Sequence, residues 1–218
     1  MIRSAAKLLP ESIYPLLKQM YYRRQIAAGK FISPEVEFTR LSRFITKNSW
    51  VIDIGANVGH YTRKFSEIAK NGRVFAFEPH PVTFSFLAGN VADLNNVTLV
   101  NAAISDCFSL TGITVPNDNY YQAHLSNTSK NKVITLHPNS FQFSDTIDFI
   151  KIDAEGHEPK IVDALSDIIT KDRPVLMIEL NTKFLEEWCK SNDYTFTDFP
   201  NSHNHILAPT NHPCFDKQ

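Results

Sequence analysis

The stretch WVIDIGANVGHYT, from Trp50 to Thr62, joins a short apolar run to a turn with two glycines and then to a helical pattern. The run WVIDIG predicts a buried strand that carries Asp53 near its carboxyl end. Gly55 and Gly59 permit positive φ and let a ligand approach the backbone, while the start of the following helix offers unpaired N–H groups and the positive end of its dipole. The turn therefore predicts a ligand site, and Asp53 favours a ligand with an ammonium or sulfonium group over a bare pyrophosphate.

Strands alternate with helices along most of the chain. Short apolar runs are separated by segments whose apolar residues recur at helical spacing, which predicts an α/β domain with a mostly parallel sheet covered on both faces. Ligands of such sheets bind beyond the carboxyl ends of the strands, near the point where the strand order reverses. We predict strands in residues 50–55, 73–79, 97–103, 112–115, 132–136, 147–153, 174–180, 194–199 and 205–209, and helices in 59–70, 82–94, 161–169 and 184–190.

Length and composition describe one ordinary folded domain. The 218 residues are 43% apolar and 21% charged, with a net charge of −1, which suits a single core. A nearly neutral chain has no general attraction to nucleic acid, and its apolar runs are too short to span a membrane. The widely spaced Cys107, Cys189 and Cys214 argue against a disulfide framework or a structural zinc site, and they favour a cytoplasmic protein. The N-terminus also lacks the apolar core of a signal peptide.

Residues 1–33 are predicted to form a helical arm that precedes a catalytic domain over residues 34–218. Two interpretations of the arm remain open: a basic docking segment for a membrane surface or a partner, or a helix packed on the domain with a solvated basic end. We expect the packed helix. Its predicted span is 11–28, with one apolar stripe formed by Ile13, Leu16, Leu17, Met20 and Tyr21 and followed by Arg23, Arg24 and Lys30.

Glu78 ends the second predicted strand, in the sequence AFEP. A carboxylate at this position can accept hydrogen bonds from both hydroxyls of a ribose, and Pro79 gives a rigid apolar edge against which a base could pack. Together with Asp53, these residues describe a ligand with an adenosine at one end and an amino acid at the other, which is S-adenosylmethionine. NAD is the alternative cofactor, but the three-glycine pattern G-x-G-x-x-G is absent.

The segments DIGANVGHYT, AFEP, NAAISD and IKIDAEGHE, in this order, resemble the FkbM-type methyltransferases, a branch of the class I S-adenosylmethionine-dependent enzymes. The resemblance covers about residues 34–210, and it implies a Rossmann-like fold with a seven-stranded sheet and methylation of a hydroxyl oxygen on a sugar, a glycan or a small metabolite. His137 stands where the family often has an acid, which puts any role of that acid in substrate binding in doubt. The residues implied to bind the cofactor are Asp53, Gly55, Ala56, Asn57, Gly59 and Glu78, with Asn101 and Ala102 near the adenine.

The second motif, KIDAEGHEPK, begins inside the predicted strand 147–153. Residues two apart on a strand share a face, so Lys151 and Asp153 can meet, either as a structural ion pair or as part of a catalytic centre. A hydroxyl nucleophile needs a base or a metal to take its proton, and the candidate bases are Lys151, Asp153, Glu155 and His157. Asp153, Glu155 and Glu158 could instead bind Mg²⁺, which we favour less because acids at a helix start commonly serve the helix dipole.

Further candidates lie outside these motifs. Glu179 ends another strand and would either position a substrate or cap a turn. A polar insertion would form a lid over the acceptor or only anchor a loop, and it contains Tyr120, Tyr121 and His124. A solvated loop is favoured over a metal site for the histidines of the C-terminal tail, which are His203, His205 and His212.

The expected partner is a small-molecule or glycan acceptor, with no nucleic acid, and the oligomeric state is left open. Three other functions are kept as alternatives: a methyltransferase of RNA or protein, a non-catalytic cofactor-binding module, and an NAD-linked enzyme. The nearly neutral charge speaks against RNA, for which the basic arm is the only support.

Overall fold

The computed structural model describes residues 13–116 and 119–213; the predicted helix start at residues 11 and 12, Cys214 and both chain ends lie outside them. None of the helices in these ranges is long and apolar enough to cross a membrane. The α-helices are α1 (Tyr14–Ala27), α2 (His60–Ile68), α3 (Pro81–Asn90), α4 (Glu158–Ala164), α5 (Ser166–Asp172) and α6 (Thr182–Asn192), and 3₁₀-helices occupy Val36–Arg43, Tyr120–Gln122 and Pro138–Ser140. The strands are β1 (Trp50–Ile54), β2 (Arg73–Phe77), β3 (Val97–Val100), β4 (Ala103–Ile104), β5 (Ser109–Thr114), β6 (His124–Leu125), β7 (Lys132–Leu136), β8 (Phe149–Ile152), β9 (Val175–Ile178), β10 (Tyr194–Asp198) and β11 (His205–Pro209).

A seven-stranded sheet forms the centre of the domain, in the order β10-β11-β9-β8-β1-β2-β3. The five strands from β3 to β9 in this order run parallel, and β11 runs antiparallel to both β9 and β10. The predicted mostly parallel, Rossmann-like sheet is therefore confirmed. From β1 the chain builds β2 and β3 on one side and later returns to β8 and β9 on the other, so the strand order reverses at β1. The carboxyl ends of β1 and β8 are the place where such a sheet binds ligands.

Alternate residues of the central strands face opposite sides of this sheet. Ile52 packs in an apolar core with residues of α4, α5 and α6, whereas Val51 and Phe149 pack in a second core with α2 and the 3₁₀-helix Val36–Arg43. Helices thus cover both faces. Because side chains two apart on a strand share a face, Asp53 follows Val51 and Lys151 follows Phe149 into the second core.

The residues between β3 and β8 form a second, smaller sheet in the order β4-β7-β5-β6. β5 runs antiparallel to β7 and β6, while β4 runs parallel to β7. The strands predicted at 112–115 and 132–136 are confirmed in place, although β5 begins earlier, at Ser109.

Helix α3 ends at Asn90, four residues before the predicted end at Leu94. The side chain of Asn90 turns back to donate a hydrogen bond to the carbonyl oxygen of Val58 (2.8 Å), and the guanidinium of Arg63 donates to the carbonyl oxygen of Asn90 (2.9 Å). The Arg63 side chain of α2 thus satisfies the last carbonyl of the helix in place of a further helical turn.

Helix α1 packs on the domain as expected, but not through its apolar stripe. Tyr22 is buried against Phe31 and Phe86, and the Gln19 amide donates to Oδ1 of Asn90 (3.0 Å). The face of α1 that carries Tyr22 is therefore the packing face. The predicted stripe faces solvent, with all of its residues exposed: Ile13, Leu16, Leu17, Met20 and Tyr21.

Candidate functional site

A cleft lies at the carboxyl ends of β1, β2, β8 and β9, and the turn after β1 lines it through Gly55 and Asn57. Both residues are left-handed, with φ of 76° and 51°. A Cβ on Gly55 would lie 1.7 Å from the carbonyl oxygen of Asp153, so only glycine fits where the turns after β1 and β8 meet. Gly59 does not line the cleft; a Cβ there would lie 2.8 Å from Cδ1 of Leu87, so this glycine lets α2 pack closely on α3.

Replacing Gly55 with alanine should lower the free energy of unfolding by about 2–3 kcal/mol, because the added methyl overlaps backbone. Gly29→Ala is the matched control: Gly29 is also left-handed (φ 65°), but a Cβ there meets nothing within 4 Å. The control should cost only the conformational penalty of about 1 kcal/mol. Urea denaturation of both variants measures the difference, and equal losses would show that the close approach of the two turns is not limiting.

Asp53 is completely buried beneath this turn. Its Oδ2 accepts a hydrogen bond from the Thr62 hydroxyl (2.6 Å), and its Oδ1 has no hydrogen-bond partner within the described residues. Burial raises the pKa of the Asp53 carboxyl, although Lys151 and Thr62 act in the opposite direction. Asp53 is not among the residues that line the cleft, so its predicted contact with the ammonium group of a ligand stays a prediction.

Lys151 is the register neighbour of Asp53 across β1 and β8 and is only 2% exposed. Its Nζ donates to Oδ2 of Asp153 (2.8 Å) and lies 5.0 Å from the ring centroid of Tyr61. Burial lowers the pKa of Lys151, but Asp153 and Asp53 outweigh burial and leave the pKa raised. The side chain is therefore a protonated ammonium that holds Asp153 from below, and it does not line the cleft.

Glu78 lines the cleft together with Pro79. One carboxylate oxygen accepts from the backbone N–H of Asn57 (2.9 Å) and the other from that of His80 (2.9 Å). Burial raises the pKa of Glu78 to about 7, although both of these hydrogen bonds favour the charged form. Each oxygen retains a further lone pair for a ligand hydroxyl, so the predicted ribose-binding role fits the geometry.

The residues predicted to lie near the adenine, Asn101 and Ala102, do not line the cleft. The Asn101 amide donates to the carbonyl oxygens of Glu78 (2.8 Å) and Pro79 (3.1 Å), so it shapes the turn after β2. Ala102 is buried, and the cleft is lined instead by Ala103 and Ile104, the two residues of β4. Of the other residues implied by the resemblance, Ala56 is buried and also stays out of the lining.

Besides Glu78, four carboxylates line the cleft: Glu35, Asp153, Glu155 and Glu179. Burial raises the pKa of both Glu155 and Glu179, and the charge of Asp153 raises each of them further. The sequence pattern did not identify Glu35, which lies in the extended segment before the first 3₁₀-helix. Its carboxylate accepts hydrogen bonds from the hydroxyls of Tyr61 and Ser33. This part of the cleft is strongly acidic.

His157 lines another part of the cleft, where its Nε2 lies 2.9 Å from Oγ of Ser105, just after β4. The Ser105 hydroxyl donates its only proton to Asp106 (2.9 Å), so the imidazole must be the donor to Ser105. Burial lowers the pKa of His157. The ring is therefore neutral and fixed beside Ile104, on the side of the cleft that holds Ala103.

Glu158, the third predicted Mg²⁺ ligand, is turned away from the other two. Its carboxylate accepts hydrogen bonds from the backbone N–H groups of Ala154 (2.8 Å) and Gly156 (2.9 Å), so it fixes the turn after β8. His205 pairs with Asp198 across β10 and β11 (2.5 Å). Within residues 13–116 and 119–213, no three His, Cys, Asp or Glu side chains are grouped in a way that could hold a metal ion.

The aromatic insertion does border the cleft, which Tyr120, Tyr121 and His124 line. The ring of Tyr120 lies 5.1 Å from that of His80. The ammonium of Lys18 in α1 lies 5.7 Å and 5.9 Å from the ring centroids of Tyr120 and Tyr121. Helix α1 thus contacts the segment predicted to form a lid, and the division of the chain at residue 33 stays a prediction.

Comparison with known proteins gives a consistent result. The sequence model of the methyltransferase FkbM domain matches residues 53–208, while no curated protein matches the chain in sequence. The FkbM methyltransferase of Methylobacillus flagellatus KT aligns over 94% of this chain and 57% of its own, with 16% identity and a TM-score of 0.57. The chain therefore spans little more than half the length of that relative.

Two further solved structures align with the chain over most of their own length. A methyltransferase from Geobacter sulfurreducens aligns over 94% of this chain and 92% of its own, with 14% identity and a TM-score of 0.50. A putative rRNA methylase from Clostridium thermocellum aligns over 78% and 89%, with 14% identity and a TM-score of 0.51. At these identities the similarity establishes the class I methyltransferase fold alone.

Proposed function

The chain belongs to the FkbM methyltransferase family, and from this premise we propose that it transfers a methyl group from S-adenosylmethionine to a hydroxyl of a sugar, a glycan or another small metabolite. The proposal rests on one observation: a single cleft is lined both by Glu78, beside the glycine turn, and by the carboxylates around Asp153. The first part suits the methyl donor and the second suits a polar acceptor.

The donor side of the cleft fits each portion of S-adenosylmethionine. Glu78 would accept hydrogen bonds from the ribose hydroxyls, and Pro79, Ala103 and Ile104 offer an apolar wall for the adenine. Gly55 and Asn57, in the turn after β1, line the cleft and suit the amino-acid end. Because the cleft is acidic, it favours a cationic ligand over NAD, whose pyrophosphate would be repelled.

The acceptor side of the cleft suits a neutral polyhydroxylated molecule. Carboxylates are hydrogen-bond acceptors, and Glu35, Glu155 and Glu179 can each accept from an acceptor hydroxyl, with the ring of Tyr121 beside them. The same charges would repel the phosphates of RNA, whose binding needs cationic side chains. This acidic lining supports a sugar-like acceptor over a nucleic acid.

Methyl transfer is an in-line displacement in which alignment and removal of the hydroxyl proton matter most. S-adenosylmethionine supplies the electrophilic methyl group on a sulfonium sulfur. Lys151 is already protonated and cannot accept a proton, so it acts as a positioning residue for Asp153. His157 already donates a hydrogen bond to Ser105, just after β4. We assign the removal of the hydroxyl proton to Glu155, because its raised pKa makes its carboxylate a stronger base than that of an ordinary glutamate.

The direct test measures binding and transfer separately. Titration with S-adenosylhomocysteine in a calorimeter should show binding, and labelled S-adenosylmethionine should label one or more members of a panel of sugars, glycans and lipid-linked glycans. Absence of cofactor binding would contradict the proposal as a whole. Binding without transfer to any acceptor would favour the non-catalytic module, and labelling of RNA alone would overturn the proposed acceptor class.

Glu78→Gln should weaken the binding of S-adenosylhomocysteine by about 1–3 kcal/mol, because the amide satisfies the ribose and backbone donors less well. The pKa of Glu78 is raised to about 7 in the free protein, and ribose donors stabilise the charged form, which lowers this pKa on binding. Near pH 7, binding should therefore release protons. Calorimetry in buffers of different ionisation enthalpy measures this release.

The matched control for Glu78 is Glu67→Gln, an exposed carboxylate on α2 that pairs with Arg63. It should bind S-adenosylhomocysteine with unchanged affinity and unchanged proton release. Unchanged affinity in Glu78→Gln as well would refute the ribose-binding role of Glu78.

A further inference from the structure

Helix α1 presents an apolar surface to solvent on the side opposite its packing face. We define the α1 outer face as Ile13, Leu16, Leu17, Met20 and Tyr21. Leu16 is 62% exposed, Met20 59% and Tyr21 54%. Single exposed apolar residues are ordinary, but a contiguous patch of this kind marks a surface that binds something.

The α1 outer face cannot be turned inward without losing the contacts that fix the helix. Tyr22 packs on Phe86 of α3 at a ring distance of 5.7 Å, the ammonium of Lys18 lies 5.2 Å from the centroid of the same ring, and Gln19 is hydrogen-bonded to Asn90. These residues lie on the opposite side of the helix from Leu17 and Met20. The exposed stripe is thus a stable feature of the fold.

Charge on and after α1 has a single sign. No Asp or Glu occurs between Ile13 and Pro34, whereas the whole chain has a net charge of −1. Arg23 and Arg24 in the last turns of the helix and Lys30 just after it are all exposed. An apolar surface followed at once by exposed positive charge is complementary to a surface that is apolar inside and anionic outside.

We propose that the α1 outer face docks reversibly on a lipid bilayer that contains anionic lipids. The apolar side chains would enter the boundary between headgroups and acyl chains, as in helices that lie in the plane of a membrane. Arg23, Arg24 and Lys30 would contact the lipid phosphates, which attract basic residues near the surface. This proposal is independent of the methyl acceptor and holds for any function of the cleft.

A second copy of the chain is a less suitable occupant. In a twofold interface the same patch faces itself, so Arg23, Arg24 and Lys30 of one copy would meet a surface whose charged residues are also basic. The first twelve residues of the chain would add Arg3 and Lys7 and only one acid, Glu11. Neither a second copy of the chain nor these twelve residues would neutralise the positive charge, whereas an anionic bilayer would.

The full chain is tested by flotation with vesicles of phosphatidylcholine, with and without phosphatidylserine. We expect flotation with the anionic vesicles at low salt and a decrease as salt rises, because surface charge is screened. The charge variant is Arg23→Glu with Arg24→Glu, and the apolar variant is Leu16→Asp with Met20→Asp. Each should weaken anionic-vesicle binding at least about tenfold.

Matched controls carry the same changes on another element. Leu110, 69% exposed on β5, is replaced with aspartate, and Lys130 and Lys132 are both replaced with glutamate; these variants should bind vesicles as the unaltered chain does. Thermal melts confirm that all variants fold. Absence of vesicle binding by the unaltered chain would overturn the proposal. A dimer in light scattering that dissociates with Leu16→Asp and Met20→Asp would assign the α1 outer face to a second copy and overturn it too.

Discussion

Lys151→Met is expected to lower the free energy of unfolding by about 3–5 kcal/mol, since removal of one partner leaves a buried charge uncompensated. Methionine fills nearly the same volume in the core, so the loss of stability comes from the missing charge and not from a cavity. The group left behind is Asp53, which is completely buried and, within the described residues, accepts its one hydrogen bond from the Thr62 hydroxyl. Asp153 is 37% exposed and can be solvated instead. Urea denaturation measures the change.

The double variant Asp53→Asn with Lys151→Met isolates the cause. Removing both charges leaves an amide whose oxygen can still accept from Thr62, so the double variant should recover at least half of the lost stability. Lys160→Met removes a lysine that is 62% exposed and lies 3.9 Å from Asp106, and it should change stability by less than about 0.5 kcal/mol. A double variant no more stable than Lys151→Met would assign the loss to packing.

The fold was predictable because its strands depend on local pattern. WVIDI and the segment 147–153 read as buried strands from apolar residues alone, and they pair as β1 and β8. The packing face of α1 was not predictable, since both sides of that helix carry large apolar or aromatic residues. Tyr22 contacts Phe86, which is 64 positions away in the printed sequence (86 − 22), and no local spacing reveals such a partner.

The candidate site, too, was predictable from the sequence only where its residues follow a local pattern. Gly55, Asn57, Glu78 and Asp153 were found from the sequence because they stand where strands end, and all four line the cleft. Glu35 stands in an extended segment without a strand or a motif, so nothing local marks it. The burial of Lys151 and its pairing with Asp153 follow from strand alternation, but its position beside Asp53 depends on the register of two strands distant in sequence.

Glu155→Gln is expected to lower kcat at least about a hundredfold, the usual contribution of a general base. Glutamine keeps the shape and one acceptor oxygen but cannot take a proton. The Kd of S-adenosylhomocysteine should stay within about twofold, because a loss confined to kcat marks an interaction made in the transition state. Initial rates with labelled S-adenosylmethionine and the acceptor found in the panel measure the loss. Glu186→Gln, an equivalent change on the exposed side of α6, is the control.

The pH profile separates Glu155 from His157 as the base. A base acts only when deprotonated, so kcat should rise with pH through the pKa of Glu155, which burial, Asp153 and Glu179 hold above the ordinary 4.5. This acidic limb should vanish in Glu155→Gln. His157→Asn should weaken cofactor binding more than it lowers kcat, because the ring stands on the Ser105 side of the cleft. A hundredfold loss of kcat in His157→Asn with little change in Glu155→Gln would identify His157 as the base instead.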